Sequence, residues 1–71
     1  MVMPMVKSIQ NALALQFPHL GFSVFMMTDT LEINYDAYAS PGEAHKIEKF
    51  VNKLMETKYP YANYILNRMP F

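Results

Sequence analysis

The first part of the chain has the hydrophobic period of a helix. Apolar residues recur every three or four positions between residues 5 and 17, at Val6, Ile9, Leu13 and Phe17. This spacing puts them on one face of an amphipathic α-helix, with mostly polar residues on the other faces. A proline follows Phe17 and disfavours helical backbone angles there, so we predict that the helix ends at this point.

Two short segments with the period of a β-strand follow. The segment 22–27 carries apolar residues on both sides, whereas the segment 31–36 alternates cleanly, with Leu31, Ile33 and Tyr35 on one side. Clean alternation is typical of an antiparallel sheet with one face on the core and one in water. A turn at residues 28–30 joins the two predicted strands, and Phe25 and Met27 then lie on the solvent face.

A second helix begins with a strong local signal. Ser40 has the side chain of an N-cap residue, Pro41 is suited to the first helical position, and Glu43 is placed to complete a capping box. An apolar stripe then continues through Ile47, Val51 and Met55, and the helix is predicted to run to about Lys58.

The remaining residues, 59–71, form a tyrosine-rich arm that begins with Tyr59 and Pro60. Periodicity does not decide between a short helix and an extended arm over so few residues. We therefore predict a single α+β domain, 1–71, with an α-β-β-α core at about residues 5–58. Two helices pack on a two- or three-stranded antiparallel sheet, and the C-terminal arm adds cover or swaps onto a neighbouring molecule.

The composition narrows the class of protein. The chain has no cysteine, which excludes disulfides and thiolate metal sites, and we expect a cytoplasmic location. Six basic and six acidic residues give no net charge, and no apolar segment of about 20 residues could cross a membrane. The chain is 52% hydrophobic, yet so small a domain buries only about 60% of its surface. Some apolar surface must therefore stay exposed, which indicates an interaction protein and favours a homodimer.

The polar residues do not suggest catalysis. His19 and His45 lack partners at metal-ligand spacing, and we expect both to be solvated surface residues. Asp29, Glu32 and Asp36 are better explained as acidic residues that keep a strand soluble than as a catalytic pair. We therefore expect no enzymatic activity, no cofactor and no metal.

The candidate binding residues are the aromatic, Met and Arg side chains that the predicted core does not need. These residue types are common in protein-binding hot spots. The predicted partner-binding residues are Phe25, Met27, Tyr38, Tyr61, Tyr64 and Arg68. The alternative is a nucleic-acid-binding module that uses a row of lysines along the second helix, Lys46, Lys49 and Lys53, together with Arg68.

The segment from Lys7 to about Val51 also resembles a known family. A helix ending in Phe17-Pro18, the strand Gly21-Phe22-Ser23-Val24, a second strand at 31–35 and a helix started by Ser40-Pro41-Gly42 carry the resemblance. It is similar to the small domains associated with large polyvalent proteins of phages and conjugative elements. The resemblance implies a mobile-element protein that binds host machinery stoichiometrically, as anti-CRISPR and other anti-defence proteins do. The expected target is a host nucleoprotein complex such as CRISPR-Cas, blocked by steric binding.

Overall fold

The computed structural model describes residues 3–69 and contains two helices and three strands. In chain order the elements are α1 (Met3–Gln16), β1 (Phe22–Met27), β2 (Thr30–Tyr35), α2 (Pro41–Lys58) and β3 (Asn63–Arg68). The predicted α+β class, the α-β-β-α order and the presence of two helices are confirmed. Within residues 3–69 no helix is both long and apolar enough to cross a membrane.

The three strands form one sheet in the order β1-β2-β3. Strands β1 and β2 form an antiparallel hairpin in which Val24 lies opposite Ile33. Strand β3 runs parallel to β2, with Leu66 opposite Ile33. The sheet is therefore mixed, and the prediction of an antiparallel sheet is wrong for the third strand. The reason is that α2 returns the chain to the end at which β2 began, and such a crossover produces a parallel pair.

The C-terminal arm is extended and not a short helix. The Ala62 N–H donates to the Tyr59 carbonyl (3.1 Å) in a turn after α2, and the chain then enters β3. Tyr64 and Leu66 pack against the core, while their neighbours along the strand are more exposed. The arm lies beside β2 of the same chain, so it extends the sheet sideways and does not cover its solvent face. Residues 70 and 71 of the predicted arm lie outside the described residues.

The hydrophobic core of the described residues lies between the helices and one face of the sheet. Its fully buried members come from both helices and the central strand, and the buried set is Ile9, Leu13, Phe17, Val24, Leu31, Ile33, Ala39, Ile47, Val51 and Met55. The Phe17 ring, directly after α1, contacts Phe50 of α2 edge to face, with 5.8 Å between ring centroids. We call the side of the sheet that meets the helices the inner face and the opposite side the outer face.

The start of α2 has the predicted capping box. The Glu43 N–H donates to the Ser40 hydroxyl (3.1 Å), and the Ser40 N–H donates to Oε1 of Glu43 (3.0 Å). These two bonds satisfy backbone donors that the first turn of a helix leaves without an intrahelical partner. The capping box and the end of α2 at Lys58 confirm the predicted bounds.

The hairpin turn is tighter than predicted. Only Thr28 and Asp29 lie between the strands, because Thr30 already pairs with Met27 as part of β2. Thr28 has a φ of 56°, a left-handed conformation that a β-branched residue adopts only with strain. The pairing of β1 with β2 on both sides of the turn holds Thr28 in this conformation.

Candidate interaction surface

The outer face of the sheet carries an apolar group that no element among residues 3–69 covers. Strand alternation puts every second residue of each strand on this face, and pairing places Phe25, Glu32 and Ile65 side by side across the three strands. Phe25, Met27 and Ile65 keep 39%, 55% and 43% of their surface exposed. We call these three residues together with Glu32 the outer-face patch.

The surroundings of the patch are polar and carry little charge. The outer face also includes Ser23, Thr30, Asn34, Asn63 and Asn67. The Asn34 amide donates across the hairpin to the Ser23 carbonyl at 3.4 Å. Glu32 is the one charged side chain that strand alternation places on this face in the described part of the sheet, so the patch is apolar with a negative charge at its centre.

The sequence prediction included Phe25 and Met27 but missed Ile65. Ile65 belongs to a segment that reads equally well as a helix or an extended arm, so its face was not predictable. The useful signal was the apolar alternation of Tyr64 and Leu66 on the core side, which puts Ile65 on the opposite side once the segment is a strand.

The other predicted binding residues do not join this patch. Tyr38 and Tyr61 are exposed but lie at opposite ends of the sheet, since Tyr38 follows the end of β2 and Tyr61 precedes the start of β3. Strand β3 runs parallel to β2, which keeps those two ends about a strand length apart. The two tyrosines therefore do not contribute to one site with each other.

Tyr64 and Arg68 extend from β3 on the inner side of the sheet. The Tyr64 hydroxyl donates to Oδ1 of Asn52 on α2, which connects the edge strand to the helix. Nη2 of Arg68 donates to the carbonyl of the buried Ala39 (2.5 Å), which connects the end of β3 to the loop before α2. Both side chains thus have structural contacts within the domain, and the six predicted residues are divided among separate parts of the surface.

The lysines of the alternative prediction lie together on α2. Lys46, Lys49 and Lys53 are all exposed, while the buried residues of this helix face the sheet. Beside Lys53 is a shallow groove of about 250 Å³ that Phe50, Leu54, Thr57 and Lys58 also line. Arg68 lies on β3, where its side chain donates to the Ala39 carbonyl, and it is not part of this lysine row.

His19 is exposed but not isolated. Its Nε2 lies 2.6 Å from Oε2 of Glu43, so the loop after α1 is held to the first turn of α2. The pKa of Glu43 is lowered mainly by the hydrogen bond from the Ser40 backbone N–H and further by His19. The sequence did not predict this pair, because 24 positions separate the two residues. His45 is exposed on α2, in line with the predicted surface position.

Two of the acidic residues named from the sequence, Asp36 and Glu32, have different surroundings in the structure. The Asp36 carboxylate accepts the backbone N–H groups of Tyr38 (2.9 Å) and Gly21 (3.4 Å), so it orders loops at the end of β2. Glu32 lies four residues earlier on the outer face of the sheet. Among residues 3–69, no three histidine or carboxylate side chains come close enough together to hold a metal ion.

Comparison with other proteins does not add to this geometry. No protein-family model matches the chain, and no curated protein or solved structure matches it either.

Proposed function

We propose that this chain is a non-enzymatic interaction protein that binds a partner protein through the outer-face patch. The observation that carries the proposal is the uncovered outer face of the sheet, where Phe25 and Met27 of β1 and Ile65 of β3 are exposed on either side of Glu32. Apolar side chains grouped in this way on a small domain mark a contact surface, since burial in a complex removes them from water.

The chemistry of the patch indicates the kind of partner. A single negative charge, Glu32, lies between Phe25 and Ile65. A phosphate backbone would be repelled by this charge, whereas a protein surface with apolar residues around a lysine or arginine would complement it. The proposed mechanism is steric: the bound domain occludes the surface that its partner uses.

The proposed biological setting rests on the family resemblance of the segment from Lys7 to about Val51. In that setting the partner is a host defence complex such as CRISPR-Cas, and the protein is its inhibitor from a mobile element. A cytoplasmic location belongs to the same proposal, and a chain without cysteine fits a reducing compartment.

The test is affinity capture with a matched set of variants. The tagged chain is incubated with lysate of the cells in which it is naturally made, with and without nuclease, and the bound proteins are identified by mass spectrometry. The patch variant carries Phe25→Thr, Met27→Thr and Ile65→Thr, which keep a high strand propensity while removing apolar area. The control is Leu15→Thr, which removes an exposed apolar residue from α1.

A defined protein that survives nuclease, binds the unchanged chain and the control, and is lost with the patch variant supports the proposal. Equal capture by the patch variant overturns it. The lysine row provides the competing outcome: if nuclease removes everything that is captured, and Lys46→Gln, Lys49→Gln and Lys53→Gln together abolish capture, the chain is a nucleic-acid-binding module. Binding would then also weaken by orders of magnitude as salt increases, because phosphate contacts release counterions.

A further inference from the structure

The two edges of the sheet differ in how their backbone groups are satisfied. On β1, the Gln10 side chain of α1 donates to the Phe22 carbonyl (3.0 Å) and accepts the Val24 N–H (3.0 Å). A carboxamide that makes both bonds takes the place of a peptide group in a neighbouring strand. The first half of the β1 edge is therefore blocked by a side chain of the same domain.

The β3 edge has no comparable block among residues 3–69. The Met69 N–H donates to the Tyr35 carbonyl (2.8 Å), so Met69 directs its backbone groups toward β2. Because backbone direction alternates along a strand, Tyr64, Leu66 and Arg68 direct their N–H and C=O groups away from β2. These six backbone groups lie along the side of β3 that faces away from β2, which we call the β3 edge.

The β3 edge also lacks most of the usual protection against pairing. Edge strands are normally protected by charged side chains, especially lysine, by proline, by bulges or by very short length. Strand β3 has six residues, contains no lysine or proline, and pairs with β2 in continuous register. Its one charged residue is Arg68, whose guanidinium is bonded to the Ala39 carbonyl.

We infer that a second copy of this chain pairs with the β3 edge, antiparallel to it, to make one six-stranded sheet. The pairing is centred on Leu66, which lies opposite Leu66 of the second copy. Tyr64 of each chain then lies opposite Arg68 of the other. These three residue pairs exchange both backbone bonds and so satisfy all six edge groups. The interface is isologous and closes as a dimer with twofold symmetry.

Two properties favour this register: the charges that meet across the junction and the face of the sheet on which each side chain lies. Arg68 lies opposite a tyrosine and not opposite another arginine, so no like charges meet across the junction. Pairing even-numbered residues with even-numbered residues also puts the inner faces of both copies on the same side of the joint sheet. A shift by one residue would put the inner face of one copy beside the outer face of the other. The helices of both copies stay on one side of the sheet, and the two outer-face patches lie on the other. The dimer depends on the edge of β3 and not on the function proposed for the outer face.

The first test measures mass against concentration by sedimentation. The unchanged chain should move from its monomer mass of 8.3 kDa toward twice that value as concentration increases. A synthetic chain with an N-methyl group on the Leu66 amide should dimerise about tenfold more weakly or not at all, because this group removes one edge donor per chain. The control carries N-methyl on Met26, whose N–H lies on the β1 edge, and should dimerise normally. A monomer at all concentrations, or a dimer unaffected by the Leu66 change, overturns the inference.

The second test reads the register directly and does not depend on N-methylation. The natural chain has no cysteine, so Ile65→Cys and Asn67→Cys variants each contain a single thiol. In the inferred register, Ile65 lies opposite Asn67 of the second copy at a distance that a disulfide can span. When the two variants are mixed and oxidised, the mixed disulfide should exceed the half share expected from random pairing. A random share, or an excess of either symmetric disulfide, contradicts the register.

Discussion

Replacement of Gln10 tests whether a side chain of α1 holds the edge of β1. The Gln10 carboxamide makes two hydrogen bonds of 3.0 Å to the backbone of the strand, at Phe22 and Val24. Gln10→Ala removes both and leaves a carbonyl and an N–H without their partner. The site is half-buried, so water replaces part of what is lost.

The magnitude follows from the number of bonds. Each neutral hydrogen bond contributes about 0.5–1.5 kcal/mol, and partial replacement by water reduces the sum for two bonds to about 1–2 kcal/mol. Alanine returns a few tenths of a kcal/mol in helix propensity. The net loss is then about 0.7–1.7 kcal/mol. For a domain of this size, 1 kcal/mol corresponds to roughly 4–8 °C in Tm, so we expect Gln10→Ala to lower Tm by roughly 3–14 °C.

Gln10→Glu makes the test specific for the donor. At neutral pH the carboxylate still accepts the Val24 N–H, but it has no proton to donate and repels the Phe22 carbonyl. Protonation restores the donor, so the folded state raises the pKa of the introduced carboxyl above its unfolded value. The restored stability is therefore fully present below that unfolded value and is lost as the pH rises through the higher folded value.

The assay is thermal and urea unfolding of each variant and the unchanged chain between pH 4 and pH 7, with amide exchange at Val24 as a local readout. The control is Asn11→Ala, which changes an exposed neighbour on α1 and should shift stability by less than about 0.5 kcal/mol. The reasoning is refuted if Gln10→Ala behaves like this control. It is also refuted if the loss of stability of Gln10→Glu, relative to the unchanged chain, is the same at pH 4 as at pH 7.

Four further changes test other parts of the fold by equilibrium unfolding. Ser40→Ala removes the hydroxyl that accepts the Glu43 N–H and should cost about 0.5–2 kcal/mol, whereas Ser40→Asp should retain most of the stability. Because folding lowers the pKa of Glu43, its carboxylate stabilises the fold at pH values above the unfolded pKa of 4.5, and this stabilisation should be lost as the pH falls through the folded pKa. Glu43→Gln should make the stability less dependent on pH in this range. Thr28→Gly should increase stability by about 1 kcal/mol, because glycine adopts the φ of 56° without strain, and an unchanged or lower stability would contradict the strain. Ile33→Ala should cost about 2–5 kcal/mol in the core, while Leu15→Ala on the surface should stay within about 0.5 kcal/mol, and equal effects would refute the assigned burial.

Local patterns predicted most of the elements. The helical period ending at Phe17, the alternation of the β2 residues and the capping box at Ser40 each arise from neighbours within a few positions. The physical causes also act over that range, since caps, prolines and side-chain periodicity depend on local backbone geometry. For the same reason, the solvent-facing positions of Phe25 and Met27 were predictable from the strand pattern alone.

The tertiary structure decided everything that depends on long-range pairing. The arm becomes a strand because β2 offers an edge, and Ile65 reaches the outer face only as a result. The bonds of Gln10 to β1, of His19 to Glu43 and of Arg68 to Ala39 join residues 12 to 29 positions apart. Helical and strand periodicity spans only a few positions, so it does not predict contacts between residues this far apart. Local patterns in the sequence therefore specify the first four elements and the composition of the exposed surface, while packing specifies β3, the mixed sheet and which side chains share a face.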